Sequence, residues 1–346
     1  MNAFEFVEPR NVDEALAAAA APGAAYLAGG TNLVDLMKAG VARPGRLVHI
    51  GRLEGLDRIE KLSDGATRIG ALVRNADLAR DADFAARYPL IAEATLSAAS
   101  PQLRNAATVG GNLMQRTRCV YFFDPLSACN KRVPGAGCDA RGGETRGAAI
   151  LGASEACVAT HASDLCVALA ALDAVVEIAA AAGRREIPLA AFYRLPGDAP
   201  QRETELEAGE LILGVRLPAA AAGFAHHARY LKARDRVSYA FALASAAAAL
   251  RFDGGVIAAA RLALGGVATV PWRAREAEAA LAGAKPSDEV FAKAAEAALA
   301  DAKPVGDNSF KIELARRVAT RALRLAAAGT PKALPALPAS PFGAAR

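Results

Sequence analysis

The stretch Thr108-Val109-Gly110-Gly111-Asn112 repeats an arrangement found earlier in Leu27-Ala28-Gly29-Gly30-Thr31-Asn32-Leu33. In each stretch a threonine and an asparagine accompany a pair of glycines. Glycine lets the backbone approach a ligand closely, and exposed backbone N–H groups bind phosphate. One such loop is a weak signal, because a strand-to-helix turn needs glycine for its own geometry. Two loops together predict a pair of walls that could hold a diphosphate from both sides.

The cysteines form a second feature, because all five lie in one window shortly after the second glycine loop. They are Cys119, Cys129, Cys138, Cys157 and Cys166. Thiolates are soft ligands that favour iron-sulfur clusters, zinc or copper(I), so the window predicts a metal beside a bound ligand. In a chain whose N-terminus shows no export signal, clustered cysteines fit metal ligation better than a disulfide framework. Cys166 shares an apolar helical face with Leu165 and Leu169, which predicts a buried structural thiol.

Composition excludes several classes of function. The 346 residues are 53% apolar and 22% charged, which predicts a folded, soluble protein with two domains or more. The net charge of +5 is scattered and forms no basic run, which argues against nucleic-acid binding. The N-terminus lacks the apolar core of a secretory signal. The most apolar stretch, residues 165–182, is interrupted by Asp173 and Glu177, so no membrane span is predicted.

The order of the elements predicts a mixed α+β fold. A capping box of Asn11 and Glu14 predicts the start of the first helix. Strands are predicted at the N-terminus and over residues 24–27, 46–50, 58–59, 67–72, 175–179, 211–217 and 229–232, and around Phe252 and Leu262. Further helices are predicted over residues 32–39, 76–87, 90–98 and 164–171, with two or three more between Arg275 and Leu325. Periodicity fails from residue 116 to 160, which predicts an irregular segment ordered by something else, such as a metal cluster.

These motifs resemble those of one family. The segments 28–32, Gln102-Leu103-Arg104-Asn105 and 108–112 are similar to the FAD-binding (medium) subunit of the molybdenum hydroxylases, the xanthine dehydrogenase and carbon monoxide dehydrogenase group. Later landmarks of that family stand at residues 163–165, 230–234, 264–268 and 276–281. The resemblance covers nearly the whole chain. No nucleophile-base signature appears, and no catalytic residue is predicted on this chain.

The resemblance implies a domain organisation. Residues 1–222 are expected to form a two-lobed FAD-binding domain of the PCMH type, with subdomains at about 1–57 and 58–222. A smaller α+β domain of the CO dehydrogenase flavoprotein type is expected over residues 223–329. Residues 330–346 are rich in proline and alanine and are predicted to form a disordered tail.

The family also implies the cofactor-binding residues. Carried over position by position, the FAD site would consist of Leu27, Ala28, Gly29, Gly30, Thr31, Asn32, Leu33, Val34, Thr108, Gly111, Asn112, Asp164, Ile212 and Lys232. Many members have aspartate where Asn32 stands. This difference is expected to change little, because the backbone donors of the loop do most of the binding.

A larger difference is an insertion of about forty residues, at about 115–160, between the second glycine loop and Ser163-Asp164-Leu165. It resembles the insertion in the FAD subunit of bacterial periplasmic aldehyde oxidoreductase, where four cysteines hold a 4Fe-4S cluster. The resemblance implies that Cys119, Cys129, Cys138 and Cys157 are the ligands. Their spacings of nine, eight and eighteen residues are unlike the short pairs of most zinc modules, although structural zinc stays an alternative. Lys131 and Arg132 are expected either to offset the cluster charge or to be solvated loop charges.

The implied function is electron transfer within a heterotrimeric molybdenum-dependent aldehyde oxidoreductase. A large partner with the molybdenum cofactor would oxidise the aldehyde, and a small partner with 2Fe-2S clusters would pass electrons to the FAD held here and then to an external acceptor. The alternatives are the flavin and 4Fe-4S subunit of a 4-hydroxybenzoyl-CoA reductase type complex and a zinc-ordered assembly protein without catalysis. The resemblance suggests the periplasm, reached with a signal-bearing partner, and the cytoplasm is the alternative.

Overall fold

A computed structural model describes residues 1–333, so the predicted tail lies outside the described residues from position 334 onward. The N-terminal lobe is a parallel three-stranded sheet in the order β1-β3-β2. Its elements are β1 (Glu5–Val7), α1 (Val12–Ala19), β2 (Ala24–Leu27), α2 (Leu33–Lys38) and β3 (Arg46–His49). Parallel strands need crossover connections, and α1 supplies the first of them.

The start of α1 differs in detail from the predicted capping box. The Asn11 side chain accepts a hydrogen bond from the Glu14 backbone N–H at 2.9 Å, as expected for an N-cap. The Glu14 carboxylate, however, accepts from the backbone N–H of Arg10 at 2.8 Å, one residue before the cap. The helix begins where the sequence predicts it to begin.

A five-stranded antiparallel sheet, in the order β4-β5-β8-β6-β7, forms the second lobe. Its strands are β4 (Ile59–Lys61), β5 (Thr67–Gly70), β6 (Val175–Ala180), β7 (Gly183–Pro188) and β8 (Leu211–Leu217). Its helices are α3 (Asn75–Arg80), α4 (Ala82–Arg87), α5 (Pro89–Ser97), α6 (Pro101–Arg104), α7 (Val109–Leu113), α8 (Val120–Phe123), α9 (Asp164–Ala171) and α10 (Leu189–Phe192). The helix predicted over 76–87 is two helices, because Asp81 leaves the helical conformation and its carboxylate caps α4 through the N–H of Phe84.

The C-terminal region is a four-stranded antiparallel sheet, in the order β12-β11-β10-β9, covered by helices. Its elements are β9 (Ala228–Ala233), β10 (Ala244–Asp253), β11 (Val256–Gly265), β12 (Trp272–Arg273), α11 (Arg275–Leu281), α12 (Asp288–Ala297) and α13 (Phe310–Ala327). The turn between β10 and β11 contains Gly254 and Gly255, both with positive φ. The predicted α+β class is confirmed.

Helix α9 joins the second lobe to the C-terminal sheet. All its residues are buried, and it packs against α5 on one side and against β10 and β11 on another. Because α9 begins at Asp164, shortly after the insertion, this packing fixes the end of the insertion next to the second lobe and the C-terminal sheet. Among residues 1–333, none of the helices has the combination of length and apolar character that a bilayer crossing requires.

Candidate functional site

The two glycine loops meet in the structure. A Cβ on Gly29 would lie 1.9 Å from the carbonyl oxygen of Ala106, so only glycine allows this contact between the loops. Gly30 has a φ of +73°, a conformation that side chains other than glycine rarely adopt. In the second loop Thr108 caps α7 by accepting a hydrogen bond from the Gly111 N–H at 3.2 Å. The segment predicted as a loop therefore continues as a short helix.

A cleft of about 390 Å³ opens between these loops. The predicted FAD residues that line it are Ala28, Gly29, Gly30, Thr31, Asn32, Leu33, Thr108, Gly111 and Ile212. Five other predicted residues, Leu27, Val34, Asn112, Asp164 and Lys232, do not contribute to this lining. The cleft also contains residues that were not predicted, among them Tyr26, Met114, Arg116, Glu207 and Glu210. Met114 and Arg116 directly follow the second glycine loop, which was the one available sequence signal for them.

Asn32 carries an unpaired donor in the wall of this cleft. Its Oδ1 accepts a hydrogen bond from the backbone N–H of Arg116 at 3.0 Å, which fixes the orientation of the amide because an N–H must face an acceptor. The Nδ2 of Asn32 is buried and has no hydrogen-bond partner among the described residues. An unpaired buried donor is costly, and a ligand oxygen would satisfy it. The cleft thus fits the anionic diphosphate of FAD.

Asp164 and Lys232 lie side by side. Lys232 Nζ donates to Asp164 Oδ2 at 2.8 Å and to the carbonyl oxygen of Ser97 at 3.2 Å. The hydroxyl of Tyr230 donates to Asp164 Oδ1 at 2.6 Å, and burial raises the pKa of Tyr230 well above its ordinary value. Both carboxylate oxygens of Asp164 therefore have partners within the protein. Tyr230 lies in the family landmark at residues 230–234, but the sequence predicted a site role only for Lys232 in that segment.

Asn112 connects the second glycine loop to the start of α9. Its Oδ1 accepts a hydrogen bond from the Ser163 hydroxyl at 2.6 Å, and the same hydroxyl caps α9 through the Cys166 N–H. The carboxylate of Asp164 follows directly on this cap. Asn112 therefore fixes the position of the second glycine loop relative to the Asp164–Lys232 pair, although it does not line the cleft.

Four of the five cysteines line one small cavity, which we call the thiol cavity. They are Cys119, Cys129, Cys138 and Cys157, and Phe122 and Lys131 also contribute to its walls. The fifth, Cys166, lies elsewhere, fully buried on α9, with its sulfur 3.1 Å from the Tyr193 hydroxyl. Burial raises the pKa of the Cys166 thiol to about 11. The tertiary structure thus separates the cysteines into four and one.

Two side chains order the loops that carry the thiols. Asn130 donates from Nδ2 to the carbonyl of Ala156 at 3.0 Å and accepts from the Gly137 N–H at 2.8 Å, so it ties together the segments of three cysteines. The Arg132 guanidinium donates to the carbonyls of Tyr121 and Phe122 at 2.7 and 2.8 Å. Arg132 is therefore not a solvated loop charge. These hydrogen bonds order much of the insertion, although it contains little regular secondary structure.

The surroundings of the thiol cavity disfavour ionised thiols when no metal is bound. Burial raises the pKa of the Cys119 and Cys157 thiols, and the nearby Lys131 ammonium partly opposes this rise at Cys157. Metal ligation requires thiolates, and the positive charge of the metal stabilises them in such surroundings. Within residues 1–333, no three His, Cys, Asp or Glu side chains converge closely enough for a single metal ion. The four thiols share a cavity rather than one coordination point.

The C-terminal region holds the far end of the insertion. Lys311 is fully buried and donates from Nζ to the carbonyls of Gly147, Ala148 and Gly266 at 3.3, 2.8 and 2.6 Å. Burial lowers the pKa of Lys311 to about 8. Asn308, also buried, donates to the Ala148 carbonyl at 3.1 Å. These contacts fix residues 147–148 against the start of α13.

Comparison with known proteins identifies the class. Residues 2–220 match the family described as the FAD binding domain in molybdopterin dehydrogenase, and residues 229–326 match the CO dehydrogenase flavoprotein C-terminal domain. The chain therefore belongs to the family of FAD-binding subunits of the molybdenum hydroxylases, as its sequence motifs predicted.

Individual relatives agree with this assignment. The chain is 47% identical to the aldehyde oxidoreductase FAD-binding subunit PaoB of Escherichia coli (strain K12), over 92% of this chain and 96% of the relative. It is 27% identical to the carbon monoxide dehydrogenase medium chain of Afipia carboxidovorans, over 94% and 97% of the two chains. The solved carbon monoxide dehydrogenase from Hydrogenophaga pseudoflava superposes with a TM-score of 0.74 at 29% identity, covering 94% of this chain and 98% of that one.

Proposed function

We propose that this chain is the FAD-binding electron-transfer subunit of a heterotrimeric molybdenum-dependent aldehyde oxidoreductase and that it also carries a 4Fe-4S cluster. The observation that carries the proposal is the pairing of a glycine-loop cleft with a four-cysteine cavity on one chain. The substrate class is supported by the 47% identity to an aldehyde oxidoreductase subunit along nearly the full length of both chains.

The FAD would occupy the glycine-loop cleft. The cleft-lining residues 28–33, Thr108, Gly111 and Ile212 would bind it directly, with the Asn32 Nδ2 as a donor to the diphosphate. Asp164 and Lys232, as a buried pair, would stand at the flavin end of the site, and Asn112 would position them. When bound, the cofactor supplies the redox chemistry, while this chain supplies binding, orientation and electrostatics.

The iron-sulfur cluster would be held by Cys119, Cys129, Cys138 and Cys157. Four thiolates form the ordinary ligand set of a 4Fe-4S cluster. Support comes from their shared cavity and from the separation of Cys166 from it. A zinc-ordered protein without flavin is the alternative for the same four thiols.

Cofactor analysis of the purified full-length chain tests this assignment. We expect flavin absorption bands with a broad iron-sulfur shoulder, one FAD and about four irons per chain. A colourless protein that carries zinc would refute the proposal. Zinc together with FAD would refute the cluster while leaving the flavin site intact.

The electron route is part of the proposal. Oxidation of an aldehyde by water on a molybdenum-bearing partner gives a carboxylic acid, two protons and two electrons, and the electrons would reach the FAD site of this chain through 2Fe-2S clusters of a small partner. An external acceptor would then take them up. Affinity purification of the tagged chain should recover one large molybdenum-containing and one small 2Fe-2S protein. Recovery of this chain alone, from cells that express all three, would argue against the heterotrimer.

The role of the cluster in this route needs a separate measurement. In a folded Cys129→Ser variant that retains FAD, turnover by the assembled complex distinguishes an electron relay from a structural cluster. Turnover equal to that of the wild type would rule out an obligatory relay.

For the location we propose the periplasm, reached by export together with a signal-bearing partner. The proposal rests on the resemblance of the cysteine insertion to that of the bacterial periplasmic aldehyde oxidoreductase. Fractionation of cells that express the whole complex tests it. Recovery with cytoplasmic markers would support the alternative.

A further inference from the structure

A third cavity, of about 230 Å³, lies between the glycine-loop cleft and the thiol cavity. It shares Met114 and Arg116 with the cleft, and it shares Lys131 and Cys157 with the thiol cavity. Arg116 thus belongs to the partition between the two proposed cofactor sites. Neither the motifs nor the proposed function assigns it a role.

The backbone of Arg116 contacts the flavin side. Its N–H donates to Asn32 Oδ1 at 3.0 Å, and this bond fixes the amide whose Nδ2 is buried without a hydrogen-bond partner among the described residues. Asn32 lines the cleft in the first glycine loop. The first residues of the cysteine insertion therefore set the orientation of a donor in the FAD site.

The side chain of Arg116 contacts the cysteine side. Its guanidinium lies over the ring of Phe122, with Cζ 4.7 Å from the ring centroid, and Phe122 is a buried wall of the thiol cavity. The guanidinium also contacts the carboxylate of Glu203. That carboxylate accepts from Lys131 Nζ at 2.8 Å, and Lys131 is a second wall of the thiol cavity. Side-chain exposures of 32%, 25% and 11% for Arg116, Glu203 and Lys131 place this network largely inside the protein.

The charges of this network suit a position between two anions. Arg116 and Lys131 carry two positive charges against the one negative charge of Glu203. An FAD diphosphate is anionic, and a 4Fe-4S cluster with four thiolate ligands carries net negative charge. A net positive charge in a partly buried partition stabilises both, because the low dielectric there strengthens the attraction.

We propose that Arg116 is a positioning residue that couples the two cofactor sites. Its backbone N–H holds Asn32 in the FAD site, and its side chain holds Phe122 in the wall of the thiol cavity. Binding of one cofactor would therefore order Arg116 and favour binding of the other cofactor. The inference rests on the proposed function, since it requires FAD and an iron-sulfur cluster on the same chain. Because coupling of two binding sites is reciprocal, removal of the cluster must weaken FAD binding by the same factor as removal of FAD weakens the cluster.

Flavin titrations of the full-length chain test the coupling. The FAD dissociation constant is measured by flavin fluorescence before and after iron is removed with a chelator, in the wild type and in Arg116→Gln. We expect iron removal to weaken FAD binding about tenfold in the wild type, a typical size for coupling between sites. In Arg116→Gln we expect a change of less than about twofold. Arg146→Gln is the control, because Arg146 is an exposed arginine of the same insertion and pairs with Asp235 outside it. This variant should behave like the wild type.

A second readout separates coupling from a general loss of structure. The midpoint potential of the bound flavin should become more negative in iron-loaded Arg116→Gln, because removal of a positive charge disfavours the reduced, more negative flavin. It should stay at the wild-type value in Arg146→Gln. If Arg116→Gln does not fold, Arg116→Lys keeps the charge but loses the planar contact with Phe122, and it should retain the potential while reducing the coupling.

Two results would overturn the inference. One is a wild-type FAD affinity that does not change when iron is removed, and the other is a change of equal size in the wild type and in the Arg116 variants. A wild-type chain that binds no FAD or no iron would instead refute the proposed function, and this inference with it. The cofactor analysis of the wild type, made first, distinguishes these cases.

Discussion

The glycine-loop cleft and the thiol cavity are separated by one further cavity, and they are built by opposite means. The cleft is formed where regular strands and helices end, and its shape depends on backbone contacts so close that Gly29 admits no Cβ. The thiol cavity lies in a segment with little regular structure, which side chains such as Asn130 and Arg132 hold through backbone carbonyls. The cleft should therefore be sensitive to substitutions that add atoms to its backbone. The thiol cavity should be sensitive to substitutions that remove side-chain groups.

The largest effect is expected from an added atom in the cleft. In Gly29→Ala the new Cβ would meet the Ala106 carbonyl at 1.9 Å, and the two loops would have to separate. We expect FAD affinity to fall by about a hundredfold or more, on the order of 3 kcal/mol or more. Flavin retained after gel filtration and the FAD dissociation constant measure this. Gly45→Ala is the matched control, because a Cβ there meets no atom within 4 Å; an equal loss in both variants would contradict the explanation.

The second prediction removes a ligand from the thiol cavity. In Cys129→Ser we expect bound iron to fall from about four per chain to near zero, since a hydroxyl is a poor ligand for iron-sulfur clusters. Cys166→Ala, which removes the thiol outside the cavity, should keep its iron. Iron analysis and the visible spectrum report both. Full iron retention in Cys129→Ser, or loss only in Cys166→Ala, would show that the four thiols are wrongly assigned.

The third prediction concerns Lys311, which holds the far end of the insertion. Lys311→Met leaves the carbonyls of Gly147, Ala148 and Gly266 without this donor, and we expect the free energy of unfolding at pH 7 to fall by about 2 kcal/mol. Urea unfolding followed by circular dichroism measures the difference. A variant as stable as the wild type would mean that burying the ammonium costs as much as its hydrogen bonds contribute.

The same lysine predicts a pH dependence. Burial lowers the Lys311 pKa from 10.5 to about 8 in the folded state, so between these values the unfolded chain binds more protons. Stability contributed by this group should therefore rise as pH increases from about 8 to 10.5. The difference in unfolding free energy between wild type and Lys311→Met, measured at pH 7 and pH 9.5, isolates this contribution. A difference that does not depend on pH would contradict it.

The smallest effect is expected where a side chain supports the flavin site from outside the cleft. Tyr230→Phe removes the hydroxyl that donates to Asp164 Oδ1, and we expect FAD affinity to fall about three- to tenfold, the equivalent of one buried hydrogen bond. Tyr88→Phe removes a comparable buried hydroxyl, which bonds to Thr67 rather than to Asp164, and should leave FAD affinity unchanged. Equal FAD binding by Tyr230→Phe and the wild type would remove Tyr230 from the site.

The sequence predicts elements with a strong apolar pattern and misses elements that depend on contacts with other parts of the chain. Strands with strong apolar patterns, such as β2 and β8, lie where the sequence predicts them. Strand β7 was missed because it is an edge strand with mostly exposed, charged residues and no apolar face. Helix α7 was predicted as a loop because glycine disfavours helices, but the Thr108 cap and the bond from Gly110 N–H to the Ala71 carbonyl hold it.

By itself, the sequence determined the family, the two glycine loops and the supply of four clustered thiols, because these depend on residue type and local spacing. Only the tertiary structure decided which residues meet: Arg116 against Asn32 and Phe122, Tyr230 against Asp164, and Lys311 against the insertion. The hydrogen bonds among these contacts join residues that are 66, 84 and 163 positions apart, and no local sequence pattern predicts them. The physical reason is that a hydrogen bond or ion pair depends on distance in space, which folding sets and the order of residues does not display.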